Sequence, residues 1–256
     1  MVDHSAMKLG KRNVRFDHRT MKMAKYLPPL MPLAEAQIDY SNGVTDWGKM
    51  LNDTIGNCTC AAACHLIQLA TMNDVDKSQG RMQTLPDSVV LDLYERWCGF
   101  DPKNPIATDN GGVELDILNH WRQEGIQGHR LLSYAAIDLR KYRHLQYAIN
   151  KFNVYIGVEL PVSAQNQETW DIVGNDGGVW GGHAIGLTGY DDTGSEPIIQ
   201  FVSWGKHMAM TLRFWTKYVS EAYALMLEDF EGSKSHGPEG FDVVGWQSDL
   251  AQITAA

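Results

Sequence analysis

The spacing of apolar positions divides the chain into a helical first half and a strand-rich second half. From Cys58 to Met72 apolar residues recur every three or four positions, without proline or glycine, which predicts a helix that begins at Cys58. Similar stripes predict helices over residues 86–98, where Pro86 suits a first turn, and over residues 113–123, which Gly125 would end.

The second half is dominated by short runs of β-branched and aromatic residues. Three of these runs predict strands, over residues 154–160, 183–190 and 198–204. Helices followed by strands of this kind predict an α+β fold, with a cleft where the two parts meet.

The two ends of the chain differ from the middle in composition. Residues 1–35 are polar and basic and contain Pro28-Pro29, so we expect an arm laid over the domain. The positive charge of this arm suits an anionic partner, an export segment or a solvated surface. We expect the main domain over residues 36–230 and a tail over residues 231–256, with a short docking helix at residues 243–253.

Length and charge exclude several classes of function. The chain has 256 residues, enough for one sizeable domain, and its net charge of −9 argues against a dedicated nucleic-acid binder. No apolar run approaches the roughly 18 residues of a membrane span, and the start lacks the apolar block of a secretory signal. We therefore expect a soluble protein, cytoplasmic or particle-associated, with neither a nucleic-acid nor a membrane partner.

The cysteines do not have the spacing of a disulfide scaffold. Three of the four, Cys58, Cys60 and Cys64, lie within seven positions, and Cys98 follows much later. Cys60 and Cys64 are one helical turn apart, but no second Cys/His pair with structural-zinc spacing follows, so we predict no metal site. A disulfide between Cys64 and Cys98 stays open.

Cys58 is the best candidate nucleophile in the sequence. It follows a turn-rich run that ends at Asn57, a candidate helix cap, and a helix N-terminus stabilises a thiolate. Asn52, six residues earlier, is placed to donate a side-chain N–H to an oxyanion beside the amide of Cys58.

The partner imidazole has to come from another part of the chain. His65 lies on the same helix, displaced from Cys58 by roughly 10 Å at a rise of about 1.5 Å per residue, and is a poor base. His183 follows Gly181-Gly182 and is expected to open a strand, where a backbone without side chains can pass close to a ligand. His183 is therefore the predicted base.

Five short motifs, in order, resemble the papain family of cysteine peptidases over about residues 36–225. The motifs are Ile38-Asp39-Tyr40 with Val44-Thr45, the spacing from Asn52 to Cys58, Asn110-Gly111-Gly112, Gly182-His183-Ala184 with Gly189-Tyr190, and Ser203-Trp204-Gly205. The chain also looks similar to uncharacterised bacterial and phage proteins of this fold.

The resemblance implies a helical left lobe and a right lobe built on an antiparallel sheet or barrel, with the active-site cleft between them. By this likeness Cys58 attacks an acyl carbon, His183 acts as acid and base, and Asn52 helps to hold the oxyanion. A peptide or protein substrate would lie extended along Gly111 and Gly112, and no cofactor is implied.

The sequence departs from the family pattern at three places. Asn52 stands where the family has glutamine, the cysteine and tryptophan that follow the family's nucleophile are missing, and the orienting asparagine falls on Val202. Valine accepts no hydrogen bond, so Ser203 and Gln200 are the candidates for a third member. Trp204 either shields His183 from water or is a core tryptophan.

Two hypotheses follow. The first is a cysteine hydrolase, a peptidase or amidase, in which Cys58 alone has a lowered pKa and is alkylated selectively. The second is a papain-fold binding or particle-associated structural protein, weak or inactive in catalysis, with four slowly reacting thiols. The arm is shorter than the inhibitory propeptides of the family, so no zymogen is predicted, although the arm is long enough to cover the cleft.

Overall fold

The computed structural model describes residues 2–73, 82–228 and 241–255. Within these ranges the helices are α1 (Cys58–Met72), α2 (Asp87–Cys98), α3 (Pro105–Thr108), α4 (Glu114–Glu124), α5 (Tyr142–Lys151), α6 (Leu212–Tyr218) and α7 (Val243–Ala255). The strands are β1 (Gln37–Asp39), β2 (Leu131–Ala136), β3 (Asn153–Pro161), β4 (Thr169–Trp170), β5 (Val179–Asp191), β6 (Ile198–Ser203), β7 (Lys206–Thr211) and β8 (Val219–Leu227).

The helices predicted from the apolar stripes are confirmed. Helices α1, α2 and α4 begin within one residue of the predicted starts, and Gly125 follows α4 with a positive φ of 74°. Helix α7 confirms the short helix predicted in the tail, while α3, α5 and α6 were not anticipated. The proposed boundary at residue 230 lies outside the described residues.

The strands form one mixed sheet in the order β2-β8-β3-β5-β6-β7-β4, with β1 paired to β5. All these pairs are antiparallel except β4 with β7. Strands β3, β5 and β6 match the three predicted runs, but β5 begins at Val179, so His183 lies inside the strand instead of opening it. The glycines before His183 take extended backbone in the strand.

Alternation along the central strands creates two hydrophobic cores on opposite faces of the sheet. On β3, Ile156 belongs to one core and Tyr155 to the other; on β5, Ile185 and Ala184 divide in the same way. One core contains most apolar residues of α1, α2 and α4, and the other contains those of α5, α6 and α7. The mixed α+β fold predicted from the sequence is thus confirmed.

Helix α1 packs on the face of β5 that carries Ala184 and Gly186. A Cβ built on Gly186 would lie 2.7 Å from Cδ2 of Leu66, so the close approach of helix and strand depends on the missing side chain. This packing fixes the start of α1, and with it Cys58, beside the strand that carries His183.

The N-terminal arm follows the surface of the domain and enters the cleft. It forms parallel bridges between Lys11 and Gly112 and between Lys22 and Ala136. None of the helices in the described ranges is both long and apolar enough to cross a membrane.

Candidate active site

Cys58 is the first residue of α1, and its side chain is buried. Asn57 precedes the helix, but its side chain does not cap it: Nδ2 donates to the carbonyl of Met50 at 2.8 Å. The carbonyl of Asn57 instead accepts the amides of Cys60 and Ala61, at 2.9 and 3.0 Å. The cap predicted at Asn57 is therefore right in position and wrong in side-chain role, since that side chain anchors the preceding turn.

The backbone of β5 contacts the thiol at the residue that follows His183. The amide of Ala184, the following residue, is hydrogen-bonded to the sulfur of Cys58. Nε2 of His183 lies 2.7 Å from Oγ of Ser203, whereas Nδ1 is buried and has no hydrogen-bond partner among the described residues. The imidazole thus has one nitrogen held by Ser203 and one free for a proton transfer.

The structure distinguishes among the residues considered as the third member beside Cys58 and His183. Of the two candidates, Ser203 is the one that it brings to His183. Gln200 lies further along the sheet, where its Oε1 would meet a Cβ built on Gly189. Val202 pairs with Gly186 and is buried in the core that contains α1, so it takes no part in orienting the ring.

Trp204 both shields His183 and belongs to the core. The two rings stack with centroids 4.6 Å apart, and the tryptophan is 3% exposed. Trp170 meets the same imidazole edge-on at 6.4 Å. Trp204 has a φ of 49° and Gly205 a φ of 77°, in the tight turn from β6 to β7 that places the indole over His183.

The cleft beside Cys58 is filled by the arm. Its backbone is bonded to one wall by Gly112 N–H to Gly10 carbonyl at 2.7 Å and Arg12 N–H to Gly112 carbonyl at 2.8 Å. It is bonded to the other wall by Lys11 N–H to Gly182 carbonyl at 3.0 Å. The amide of Gly10 also hydrogen-bonds the sulfur of Cys58. The arm therefore lies extended directly over the thiol.

Glycines on both walls of the cleft leave room for the backbone of the arm. A Cβ on Gly111 would lie 1.9 Å from the carbonyl oxygen of Gly10, and one on Gly182 would lie 2.2 Å from that of Lys11. Gly111 has a φ of 72°, so a side chain there would also strain the backbone. Gly111 and Gly112 thus lie directly against the arm.

Asn52 faces the arm at Lys8. Its Nδ2 makes long hydrogen bonds to the carbonyls of Lys8, at 3.4 Å, and Ile55, at 3.3 Å. Nε1 of Trp204 points at the same Lys8 carbonyl, at 3.4 Å. The structure thus brings an amide and an indole donor to one carbonyl oxygen in the cleft.

Burial beneath the arm favours the neutral forms of Cys58 and His183. It raises the pKa of the Cys58 thiol to about 12 and lowers the pKa of His183 to about 3. The hydrogen bonds from Ala184 and Gly10 lower the thiol pKa, but the loss of solvation outweighs them. The lowered thiol pKa expected from the sequence is therefore wrong for this arm-bound arrangement, because the expectation assumed an open cleft.

The surroundings of the other cysteines and of His65 indicate structural roles. All four cysteines are free, and Cys60 hydrogen-bonds to Cys98, so the partner of Cys98 is not Cys64. His65 contacts the carbonyl of Gly48 at 2.9 Å, and burial lowers its pKa to about 4. Across the described ranges, no group of three or more His, Cys, Asp or Glu residues is arranged to hold a metal ion.

An acidic pocket beside the cleft was not predicted from the sequence. Glu114, Glu159 and Glu221 surround the buried side chain of Lys11. The available signal was a charged residue within an otherwise apolar strand, at Glu159 in β3 and at Glu221 in β8.

Comparison by structure finds similar proteins, although no protein-family profile and no curated protein sequence matches the chain. Xylellain, a cysteine protease from Xylella fastidiosa, superposes with a TM-score of 0.64 at 14% identity, over 86% of this chain and 96% of that one. Bromelain from Ananas comosus, in complex with the inhibitor E64, gives 0.55 at 15% identity over 76% and 100%. Procathepsin B S9 from Trypanosoma congolense gives 0.58 at 9%, over 88% of each chain.

These likenesses agree with the motifs found in the sequence and with the helical part packed on an antiparallel sheet. At such low identity they establish the architecture. The chain has the fold of the papain-like cysteine proteases.

Proposed function

We propose that this protein is a cysteine hydrolase that cleaves peptide or related amide bonds, with Cys58 as nucleophile and His183 as acid and base. The observation that carries the proposal is the arm itself. An extended peptide backbone lies over the thiol and is hydrogen-bonded to Gly112 on one wall and Gly182 on the other. The cleft therefore has the shape and the hydrogen-bonding groups for a peptide chain.

In the proposed reaction, Nδ1 of His183 takes the thiol proton and the Cys58 sulfur attacks the carbonyl carbon of the scissile bond. The oxyanion accepts N–H groups from the Cys58 backbone, which has no helical acceptor at the start of α1, and from Nδ2 of Asn52. The imidazolium protonates the leaving amine, and an acyl-enzyme remains. Water, deprotonated by His183, then releases the acid and restores the thiol.

Ser203 supports this cycle through the ring of His183. In this proposal its hydroxyl at Nε2 holds the imidazole and leaves Nδ1 for the thiol proton, the task that an amide side chain has in the family pattern. Trp204 covers the ring and limits the access of water to this hydrogen bond. Ser203 is accordingly a positioning residue.

The arm has to leave the cleft before a substrate enters. With the arm bound, the thiol is neutral at pH 7 because its pKa is about 12, and the Gly10 backbone blocks the approach to the sulfur. Solvent that enters after the arm leaves removes most of the desolvation, so the pair can then ionise. We therefore propose an arm-bound form that is inactive and an open form that is active.

Peptide hydrolysis by an opened variant tests this function. We expect Lys11→Glu, which places a fourth acidic side chain in the pocket that holds Lys11, to release new amine termini from a denatured protein substrate. Lys11→Glu with Cys58→Ala is expected to be inert, and E64, the inhibitor bound in bromelain, is expected to block the active form. An opened, folded variant that cleaves nothing and does not react with E64 would contradict the proposal.

A binding function without catalysis is the second candidate. It is favoured by Val202, which replaces the orienting asparagine, and by the neutral state of both reacting groups. This candidate predicts that the open form binds peptides reversibly and that Cys58 has the reactivity of an ordinary thiol.

A further inference from the structure

The register of three strands creates a pocket beside the cleft, and its base is a glycine without a side chain. Gly157 on β3 pairs with Ala184 on β5 and with Glu221 on β8, and Glu159 lies two residues along β3, opposite Gly182. A Cβ on Gly157 would lie 2.1 Å from Cε of Lys11. The glycine thus leaves the space that the lysine side chain fills.

The walls of this pocket are acidic. Nζ of Lys11 lies 2.9 Å from Oε1 of Glu159 and 3.3 Å from Oε1 of Glu221, and the lysine side chain has no exposed surface. Glu114, in the first turn of α4, closes the pocket, and a Cβ on Gly157 would lie 2.6 Å from its Oε1. One cation is therefore surrounded by three carboxyl groups.

The pocket offers more acceptors than Lys11 uses. Both carboxyl oxygens of Glu114 are buried without a hydrogen-bond partner in the described part of the chain, and so is Oε1 of Glu221. The ammonium donates instead to Glu159 and, at 3.3 Å, to the carbonyl of Arg12. The other oxygen of Glu221 accepts from Tyr223 at 2.8 Å. Burial of the three remaining oxygens without a donor opposes folding, so holding the arm does not account for them.

A basic side chain with more donors would satisfy the surplus. A guanidinium has five N–H groups and binds carboxylates through two parallel hydrogen bonds, whereas an acidic or aliphatic side chain leaves both oxygens of Glu114 and Oε1 of Glu221 without a donor. The pocket that holds Lys11 is adjacent to the thiol. Lys11 directly follows Gly10, whose amide is hydrogen-bonded to the sulfur of Cys58. A peptide that fills this pocket therefore lies across the nucleophile.

We infer that Glu114, Glu159 and Glu221 form a specificity pocket for a basic residue, so that the ligands and substrates of the open cleft are peptides or proteins that present lysine or arginine there. Lys11 occupies the pocket in the arm-bound form. The cleavage of such peptides rests on the proposed function. Their binding does not depend on it.

Protection of Cys58 from iodoacetamide tests the pocket without requiring turnover. The full-length Lys11→Met chain is incubated with synthetic peptides of residues 4–13 that carry lysine, arginine, norleucine or glutamate at position 11. We expect lysine and arginine peptides to protect Cys58 at concentrations about tenfold or more below the norleucine peptide, and the glutamate peptide not to protect. A norleucine peptide that protects as well as the lysine peptide would overturn the inference.

Two controls keep the result specific. Norleucine at position 8 of the peptide, where the Lys8 side chain is exposed, should leave protection by the lysine peptide unchanged within about twofold. Glu159→Gln in the protein should weaken that protection, whereas Glu168→Gln, an exposed glutamate, should not. Equal effects of the two glutamine variants would overturn the assignment of the pocket.

The test also separates the pocket from the proposed chemistry. Selective protection supports the pocket whether or not the bound peptide is cleaved, because the arm itself occupies the cleft as an intact chain. The hydrolase is contradicted separately, if the opened variant cleaves no denatured protein substrate. Cleavage of lysine and norleucine peptides at the same rate supports the hydrolase and overturns the pocket.

Discussion

The proposed reacting pair, Cys58 and His183, and the acidic pocket around Lys11 lie beneath the same arm, yet burial affects them differently. At Cys58 the loss of water outweighs two backbone hydrogen bonds and the charge of Lys11, and at His183 the neighbouring histidines lower the pKa further, so both groups are held neutral. In the pocket, Lys11 is also buried, but its carboxylate neighbours raise its pKa and keep it charged. The arm is thus held by neutral backbone contacts over the thiol and by a charged side chain beside it, and the charged contact is the more sensitive to a single substitution.

The largest effect is expected from reversing the charge in the pocket. Lys11→Glu places a fourth acidic side chain among three and should expel the arm, because an unpaired buried charge costs about 3–5 kcal/mol. We expect iodoacetamide to label Cys58 on the order of 100-fold faster at pH 7.5, as measured by mass spectrometry of the Cys58 peptide.

The matched control for this variant is Lys8→Glu. It makes the same change of charge on the same arm, but the Lys8 side chain is exposed and contributes only its backbone to the cleft. Its labelling rate should stay near that of the unmodified chain. Equal acceleration by both variants would mean that net charge, and not the pocket, holds the arm.

A medium effect is expected on the pH dependence of stability. Burial raises the pKa of Glu114 well above its ordinary 4.5, and Glu221 and Glu159 raise it further, while Lys11 lowers it. Folding therefore favours the protonated group, whose contribution is complete below pH 4.5 and is lost as the pH rises through the folded-state pKa. Relative to Glu114→Gln, the wild-type free energy of unfolding should fall by about 1–3 kcal/mol between pH 5 and pH 8.

Urea denaturation at the two pH values measures this difference. Glu168→Gln, at an exposed glutamate, serves as the reference variant and should give a pH profile parallel to that of the wild type. A Glu114→Gln profile that also runs parallel to the wild type would show that Glu114 is ionised in the folded protein.

The smallest effect concerns the positioning of the imidazole. Ser203→Ala removes the hydroxyl from Nε2 of His183 and should slow the labelling of Cys58 about fivefold in the Lys11→Glu background, since such a hydrogen bond contributes about 1 kcal/mol. Ser133→Ala, at a buried serine that accepts a hydrogen bond from Trp246, is the control and should leave the rate unchanged. A Ser203→Ala variant that reacts as fast as its parent would exclude the positioning role.

Local features of the fold could be predicted from the sequence. The apolar stripe and the turn-rich approach define the start of α1, and the apolar runs define β3, β5 and β6. The β5 boundary was misjudged because Gly181 and Gly182 signal a turn in sequence, whereas in the sheet their missing side chains admit the arm.

The long-range contacts could not be predicted in the same way. The pocket joins Glu114 from α4, Gly157 and Glu159 from β3, and Glu221 from β8, and only strand register brings these together. Ser203 was one of two candidates because the sequence does not specify which residue of β6 meets His183. Neither the fit of Lys11 nor the neutral state of Cys58 follows from local pattern, since both depend on where the arm lies.

The central claim is that Cys58 and His183 form a reacting pair that the arm holds neutral, and the pH profile of Cys58 alkylation tests it most directly. The rate is measured from pH 5 to pH 10 in the wild type, in Lys11→Glu, and in Lys11→Glu with His183→Ala. We expect slow labelling of the wild type throughout, fast labelling of Lys11→Glu that persists below pH 7, and loss of that low-pH reactivity when His183 is removed. Identical profiles for Lys11→Glu with and without His183, each rising only near the pKa of a free thiol, would contradict it.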